Sequence, residues 1–463
     1  ILPILSASLF AFFILISCGA ERNFKRGEKH LALGEYFDAA NEYKQAYQKT
    51  PPKDRERRGQ IALKMALCYD KTLQTGKAVA AYRNVIRYQQ GNIEEHLALA
   101  RQLMKEGSYA AAEAEFKLVL DSLPDNTLAR EGLIAAKNAP RIKEEGSRYT
   151  VKKMDIFNSR RAEYSPMLYG DAYDQLYFTS TRNEAMGDEL SGITGTKAGD
   201  LFYSQKDDKG KWSKPEAVNG GVNTNYDEGT CSFSPDGREM YLTQCATSPS
   251  YPRYAQIVKS DRSDAAWGKA TPITLTGDTL SSYAHPAISP GGEWLYFTSD
   301  MPGGKGGLDI WRVRITPAGF GGVENLGEPV NTAGDEEFPT FRPNGDLYFS
   351  SNGHPGLGGL DIFIAKVGKD HRYHLSHPGY PLNSQGDDFG MTFEGPYNRG
   401  FFSSNRGDGR GWDHIYSFEN PEIIQTVKGW VYEMEGYELP EALVYCIGDD
   451  GTNERLTVHS DGS

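Results

Sequence analysis

A short hydrophobic segment decides the fold of this chain and occurs five times: LYFTS at residues 176–180 and 295–299, MYLTQ at 240–244, LYFSS at 347–351 and GFFSS at 400–404. Its third residue falls at positions 178, 242, 297, 349 and 402, so the repeat is 52 to 64 residues long. Aromatic and β-branched residues at this density are typical of strands. A repeat of roughly 50 residues built on such strands predicts one four-stranded blade of a β-propeller.

Three further signals accompany this strand in a fixed order. A proline-containing pair is predicted to end the inner strand of blades one to four: Ser165-Pro166, Ser234-Pro235, Ser289-Pro290 and Arg342-Pro343. A glycine-rich turn leads to a third strand that opens with an aspartate in every blade but the second: Asp200, Asp309, Asp361 and Asp413. An asparagine followed by Ser or Thr comes after the fourth strand: Asn223-Thr224, Asn331-Thr332 and Asn383-Ser384.

The fifth repeat ends near Phe418 without a fourth strand. Residues 152–159, just before blade one, carry the missing pattern and end on Asn158-Ser159. We expect this segment to complete blade five, because closure leaves no open sheet edge in the ring. The segment 181–199 is too short and too rich in glycine for a sixth blade, so residues 149–420 are predicted to form a five-bladed propeller. The repeats resemble the WD40-like, or PD40, blades of periplasmic propellers such as TolB.

Residues 22–140 contain a different repeat, of helical type. An alanine recurs at positions 39, 78 and 112, and an aromatic residue follows it four positions later each time: Tyr43, Tyr82 and Phe116. This pattern resembles three tetratricopeptide repeats (TPR), with residues 125–138 as a capping helix. The predicted fold class is therefore multidomain, an α-solenoid followed by all-β domains. Solenoids of this kind usually present a surface that binds another protein.

The charge also differs between the helical repeats and the rest of the chain. Residues 21–148 hold 23 of its 50 Lys and Arg and 18 of its 62 Asp and Glu, which gives +5 there and −17 elsewhere. A net charge of −12 argues against a general nucleic-acid binder. The positive repeats suit an acidic partner, although a solvated helix face explains their charge equally simply.

The first 18 residues are apolar up to Cys18 and begin without Met or a basic region, so the sequence is expected to start inside a signal peptide. Residues 15–19, LISCG, resemble a bacterial lipobox, which implies cleavage before Cys18 and its acylation. An ordinary signal peptide and a membrane-anchor helix are the alternatives. Gly19 is not the aspartate of inner-membrane retention, so the resemblance implies the outer membrane, with the body facing the periplasm.

Residues 425–463 resemble the opening of a carboxypeptidase-regulatory-like β-sandwich, a non-catalytic domain. The motif is carried by VKGWVY at 427–432, LPEALV at 439–444 and Asp461-Gly462. Together with the lipobox, the TPR and the PD40 blades, this order resembles OmpA-family lipoproteins of the Bacteroidetes type, some associated with type IX secretion. The resemblance implies protein partners in an envelope complex and a membrane attachment by lipid. It implies peptidoglycan binding only through a further OmpA-like domain, which these 463 residues do not contain.

The sequence predicts no catalytic site, no metal site and no cofactor. No G-x-S-x-G nucleophile motif occurs, and the glycine-rich turns GGKGGLD (303–309) and GLGGLD (356–361) lack the strand–loop–helix context of a phosphate loop. They are attributed to turns that need glycine at positive φ. The loop at 405–409 resembles a calcium loop without its ligand spacing. A disulfide between Cys231 and Cys245 is permitted, although the intervening turn does not place them opposite each other.

Three acidic pairs precede inner strands, and we expect them to ring one mouth of the propeller channel. Such a ring would receive a basic segment of a partner; the alternative is solvent-facing turn chemistry together with capping. The function predicted is a non-enzymatic scaffold, and the alternative is a glycan- or peptide-binding propeller of nutrient uptake. The candidate residues are Cys18 for lipidation and, for the acidic mouth, Asp227, Glu228, Asp335, Glu336, Asp387 and Asp388.

Overall fold

The computed structural model describes residues 19–187, 190–246, 254–264, 266–421, 428–447 and 453–461. The chain forms two compact units, which divide between residues 420 and 421. Within the described residues of the first unit, seven helices precede a five-bladed β-propeller, as predicted. None of the described helices combines the length and the apolar character that crossing a bilayer requires.

The helices pack as three antiparallel pairs and a seventh helix. The repeated alanines are wholly buried, and the aromatic residues that follow them, Tyr43, Tyr82 and Phe116, are at most 1% exposed. Small and large side chains therefore interlock between paired helices, which is the packing that the repeat predicts. In chain order the helices are α1 (19–32), α2 (Tyr36–Lys49), α3 (Arg55–Lys71), α4 (Thr75–Arg87), α5 (Ile93–Lys105), α6 (Tyr109–Ser122) and α7 (Thr127–Glu145).

Each blade is an antiparallel sheet, and the segments predicted as its second strand are its second strand. Blade one is β2 (Glu163–Tyr169), β3 (Gln175–Ser180), β4 (Asp200–Gln205) and β5 (Glu216–Ala217). Blade two is β6 (Asp227–Phe233), β7 (Glu239–Ala246), β8 (Tyr254–Ser263), β9 (Ala266–Trp267) and β10 (Thr271–Pro272). Blade three is β11 (Tyr283–Ile288), β12 (Trp294–Ser299), β13 (Asp309–Thr316) and β14 (Gly319–Asn325).

Blade four is β15 (Glu336–Phe341), β16 (Leu347–Ser351), β17 (Asp361–Val367) and β18 (Tyr373–Ser376). Blade five is β19 (Asp388–Phe393), β20 (Arg399–Ser404), β21 (His414–Glu419) and, from the start of the ring, β1 (Thr150–Lys153). β1 pairs antiparallel with β21, and Val151 lies opposite Phe418. The predicted closure of the ring by the segment before blade one is confirmed.

All five inner strands carry a β-bulge at the equivalent residue, and each bulge residue has φ between +47° and +62°. These residues are Ser165, Thr230, His285, Phe338 and Gly390. Proline follows three of them, and it suits a bulge because it has no N–H to donate to the ladder. The prediction that Ser165-Pro166 ends its strand is therefore wrong: this pair lies inside β2.

The bulge residues meet where neighbouring inner strands come together. The ring of His285 stacks on that of Phe338 with centroids 3.7 Å apart, and Phe338 lies 4.3 Å from Phe389. Thr230 Oγ1 donates a hydrogen bond to Ser165 Oγ at 3.0 Å. The inner strands of blades three to five thus share an aromatic cluster, and those of blades one and two share a contact between hydroxyl groups.

In the second unit, β22 (Leu443–Ile447) and β23 (Asn453–Thr457) form one antiparallel pair. This pair lies in the segment that resembles the opening of a β-sandwich. Val427 and Gly462 of that motif lie outside the described residues.

Candidate binding site at the channel mouth

Four asparagines tie the end of one blade to the start of the next. Asn383 Oδ1 accepts from the N–H of Ile362 at 2.8 Å, and its Nδ2 donates to the carbonyl of the same residue at 2.9 Å. The amide thus imitates a strand neighbour for β17 and fixes the chain just ahead of β19. The same pair of bonds joins Asn223 to Leu201, Asn331 to Ile310 and Asn158 to Ile415.

The residue after each asparagine binds a carboxylate four positions later. The N–H and the hydroxyl of Thr332 both donate to Glu336, each at 2.7 Å. Ser159 with Glu163, Thr224 with Glu228 and Ser384 with Asp388 repeat this arrangement. The second acid of each predicted pair therefore caps a turn, as the alternative supposes, but the turn is buried and does not face solvent.

Burial changes the electrostatics that we expected at this mouth. Four of the six carboxylates, those of Glu228, Glu336, Asp387 and Asp388, are at most 4% exposed, so these four do not form the open acidic ring that we expected. Removal from water raises the pKa of Glu228 and of Glu336 to about 7, because desolvation disfavours the ionised form more than the turn hydrogen bonds favour it. Near neutral pH these two groups carry only part of a negative charge.

The first acid of each pair binds the backbone of a neighbouring strand. Asp227, Asp335 and Asp387 accept from the N–H groups of Gly199, Leu308 and Leu360 at 2.8, 3.0 and 2.9 Å. Binding of a basic partner segment by these residues stays a prediction.

One basic segment does reach the mouth, and it belongs to this chain. Lys105, at the end of α5, places its Nζ 3.2 Å from Asp387 Oδ1, and the two side chains are 16% and 6% exposed. Burial opposes ionisation of both, but their mutual attraction holds the pKa of Asp387 below its ordinary value and that of Lys105 above it. Tyr109 donates from its hydroxyl to the carbonyl of Leu357 at 2.8 Å. The helices are thus docked on the mouth.

Between the helices and the mouth lies a cavity of about 500 Å³, here called the chamber. α3 and α5 form its roof, and the starts of the inner and third strands form its floor. The two surfaces that the sequence offered for binding, the helical repeats and the acidic mouth, therefore face each other across one space. Its charged lining residues are Asp70, Lys71, Glu94, Arg101 and Lys105 in the roof and Asp335, Glu337, Asp387 and Asp413 in the floor.

Two of the floor carboxylates depart from the propeller repeat. Register places His414, not Asp413, at the position that Asp200, Asp309 and Asp361 occupy in other blades, so the predicted alignment of blade five is shifted by one residue. Asp413 instead corresponds to Gly199, Leu308 and Leu360. Glu337 takes the place that Tyr164, Gly229, Ala284 and Phe389 hold elsewhere. The alignment of the blades would have revealed both acids from sequence.

These two acids are strongly perturbed. Burial, reinforced by repulsion from Asp335 and Asp387, raises the pKa of Glu337 to about 8. Burial and the charge of Asp387 raise the pKa of Asp413 well above its ordinary value. Oδ1 of Asp413 is buried and has no hydrogen-bond partner among the described residues. Perturbed acids inside a cavity are a common mark of a functional site.

The other predicted features have structural roles. In the glycine-rich turns only Gly303 has positive φ; a Cβ on Gly358 would lie 1.9 Å from the carbonyl oxygen of Gln385, so close approach explains that glycine.

Asp408, in the loop that resembles a calcium loop, binds Arg410 at 2.6 Å and His414 at 3.1 Å. These bonds occupy the carboxylate that a cation would need.

The strand register of blade two shows which residues lie opposite its two cysteines. Cys231 lies opposite Leu242 and Cys245 opposite Asp227, so the two are not cross-strand neighbours. Cys68 is wholly buried, and burial raises the pKa of its thiol to about 12. Cys18, the predicted lipidation site, lies outside the described residues.

The sequence matches no family model and no curated protein. The C-terminal TPR-containing domain of a Plasmodium falciparum FK506-binding protein is 18% identical, with 27% of this chain and 91% of that chain covered and a TM-score of 0.25. A Dyadobacter fermentans protein of unknown function is 13% identical over 57% of this chain and 78% of its own, with a TM-score of 0.36. A thermostable family-43 glycoside hydrolase is 11% identical, with 58% of this chain and 91% of that chain covered and a TM-score of 0.36.

Proposed function

We propose that this protein is a non-enzymatic scaffold that holds protein partners on its helical repeats and its propeller. The observation that carries the proposal is the docking of α5 on the channel mouth through Lys105 and Asp387. A scaffold needs two binding surfaces held at a fixed distance, and a buried ion pair between two modules provides that constraint. The acids Glu228, Glu336 and Asp388 are buried and each is engaged by a Ser or Thr of its own turn, so they hold the turns of the mouth in place.

The proposed location is the outer membrane, with the protein anchored through an acylated Cys18 and facing the periplasm. Its support is the lipobox-like segment at 15–19 and the order of the predicted modules. In this proposal the protein resembles PorE, a lipoprotein associated with type IX secretion. Its partners are then proteins of the secretion or envelope complex, and peptidoglycan is held by an OmpA-like domain outside these residues.

Cross-linking in the native bacterium tests the scaffold. A tagged full-length protein is cross-linked, purified and analysed by mass spectrometry, beside the variant Lys105→Met and the control Lys117→Met. Lys117 lies on α6 and forms only a surface pair with Glu113. We expect cross-links from both the helices and the propeller to one envelope complex. Lys105→Met should weaken their joint capture, and Lys117→Met should not.

The proposal fails if the wild-type protein cross-links to no envelope protein. It also fails if the helices and the propeller are captured by the same partner equally well with and without Lys105, because the fixed docking would then have no role in assembly.

A further inference from the structure

The chamber has the size of a small-ligand site. Its volume of about 500 Å³ lies within the range of roughly 300–1,000 Å³ that such sites occupy. The chamber also combines apolar and charged walls, because Phe338 and Phe389 line it beside the acids of the floor. A few polar groups placed among aromatic side chains give a site orientation and specificity.

The floor is suited to a cation. Glu337 and Asp413 are additions to the repeat and make none of the turn bonds that engage the neighbouring acids. The nearest basic group to Glu337 is His285, whose Nδ1 lies 3.6 Å from Oε2, which is too far for a hydrogen bond. The ring of Phe338 packs against those of His285 and Phe389 at 3.7 and 4.3 Å, and the two phenylalanines form an apolar wall against which the stem of a basic side chain can pack.

The roof offers cations of its own, beside the acids Asp70 and Glu94. Arg101 and Lys71 line the chamber from α5 and α3, while Lys105 is already engaged by Asp387. A lone metal ion would engage the floor but could not pair with Arg101. A ligand that brings its own carboxylate would instead be attracted, since a guanidinium such as that of Arg101 binds a carboxylate through two parallel hydrogen bonds.

We propose that the chamber binds a ligand with a basic side chain and a free carboxylate, either a free basic amino acid or the C-terminal arginine or lysine of a peptide. The basic group lies on the floor between Glu337, Asp413 and the two phenylalanine rings. The carboxylate lies against Arg101 in the roof. This inference does not depend on the scaffold role, because it concerns a ligand small enough to enter the chamber.

Binding is coupled to proton release. The charged groups around Glu337 in the chamber are His285, Asp335, Asp387 and Asp413 from the propeller and Asp70, Lys71, Glu94, Arg101 and Lys105 from the helices. Because burial and acidic neighbours keep its carboxyl largely protonated at pH 7, an arriving cation must displace a proton. The affinity therefore rises with pH up to about 8, where the carboxyl is ionised before the ligand arrives.

Calorimetry on the full chain tests this with three probes: L-arginine, the dipeptide Gly-Arg and its amide Gly-Arg-NH₂. L-Citrulline, which has the shape of arginine without its charge, is the control ligand. We expect arginine or Gly-Arg to bind, and the heat to differ between buffers of different ionisation enthalpy because a proton is released. Citrulline and the amide should bind at least about tenfold more weakly, which corresponds to about 1.4 kcal/mol. The ratio of arginine to Gly-Arg affinity identifies the source of the ligand.

Variants assign the roles. Glu337→Gln should lower the affinity about tenfold and reduce the proton release, which Asp413 alone then supplies. Arg101→Gln should weaken Gly-Arg and leave the weak binding of the amide unchanged. Glu328→Gln, an exposed acid outside the chamber, is the matched control. If Glu337→Gln fails to fold, the comparisons of arginine with citrulline and of Gly-Arg with its amide, on the wild-type chain, still test the proposal.

The proposal is overturned if neither arginine nor Gly-Arg binds at millimolar concentration or if citrulline binds as well as arginine. Binding of Ca²⁺ that excludes arginine would also overturn it, as would unchanged arginine binding in a folded Glu337→Gln. Partner capture in cells is a separate measurement, so failure here leaves the scaffold proposal standing.

Discussion

The ammonium group of Lys105, at the end of α5, lies 3.2 Å from Asp387 Oδ1, next to the first residue of β19. The pair joins the part of the chain with net charge +5 to the part with −17. Asp387 also accepts from Leu360 N–H and Asn405 Nδ2, so its carboxylate is satisfied from both modules. A buried ion pair of this kind adds little stability compared with two apolar side chains in its place. Removal of one partner, however, leaves a buried charge without compensation.

Lys105→Met is therefore expected to lower the free energy of unfolding by about 3 kcal/mol. The double variant Lys105→Met with Asp387→Asn should recover part of that loss, since the remaining buried group is then neutral. Urea unfolding of the two single variants and the double variant measures the coupling between the residues. Strictly additive effects would show that the two residues do not interact.

Closure of the ring gives the second prediction. Val151 in β1 packs against the hydrophobic cluster of blade five, while Lys152 beside it is exposed. Val151→Asp should destabilise the propeller by about 1–3 kcal/mol through burial of a charge. Lys152→Asp introduces the same side chain on the exposed face and should change stability by less than about 0.5 kcal/mol. Equal melting temperatures for the two variants would contradict closure by β1.

Stability should rise as the pH falls from about 8.5 to about 6.5. The pKa of Glu228 and Glu336 is raised to about 7 and that of Glu337 to about 8, so the folded chain binds protons that the unfolded chain has already released. Folding is favoured where the folded state binds more protons, and the gain is on the order of 2 kcal/mol. Below about pH 6.5 the effect is opposed, because burial lowers the pKa of His285 to about 3.

Melting temperatures measured between pH 6.5 and 8.5 show whether stability rises or falls with pH. Glu336→Gln should flatten the pH dependence, while the exposed Glu328→Gln should leave it unchanged. A chain that becomes less stable between pH 8.5 and 6.5 would rule out protonation of these carboxyls in the folded state.

A fourth prediction concerns the turn at Gly358. A Cβ there would lie 1.9 Å from the carbonyl oxygen of Gln385, whereas a Cβ on Gly322 would meet nothing within 4 Å. Gly358→Ala should lower the free energy of unfolding by about 1–3 kcal/mol, through displacement of the backbone near Asp387. Gly322→Ala should be neutral or slightly stabilising. Tolerance of alanine at both positions in thermal unfolding would show that the turn does not need the close approach.

The fifth prediction concerns the anchor. Cys18→Ser should leave an uncleaved precursor and stop incorporation of labelled palmitate, because the thiol is the acceptor of the lipid. A Cys446→Ser variant, altered at an exposed cysteine of the second unit, should label normally. Palmitate incorporation into Cys18→Ser at the wild-type level would exclude the lipobox.

The sequence alone determined the architecture of the first unit. Repeats reveal it because every blade must bury the same kind of strand, as LYFTS at 176–180 and 295–299 does, and each helix pair must bury an alanine such as Ala39. The strand that closes the ring was also predictable, since Asn158-Ser159 continues a pattern that blade five lacks.

Only the tertiary structure decided the site. Acidic pairs that look alike in sequence divide into buried acids that bind their own turn, such as Glu336, and acids that bind the backbone just before a third strand, such as Asp335. The two side chains differ because neighbouring residues of an extended chain point to opposite sides. The chamber exists because Lys105 and Asp387, 282 positions apart, meet when the helices dock. A repeated motif reflects the packing within each blade or helix pair. It carries no information on which residues of the helical repeats contact which residues of the propeller.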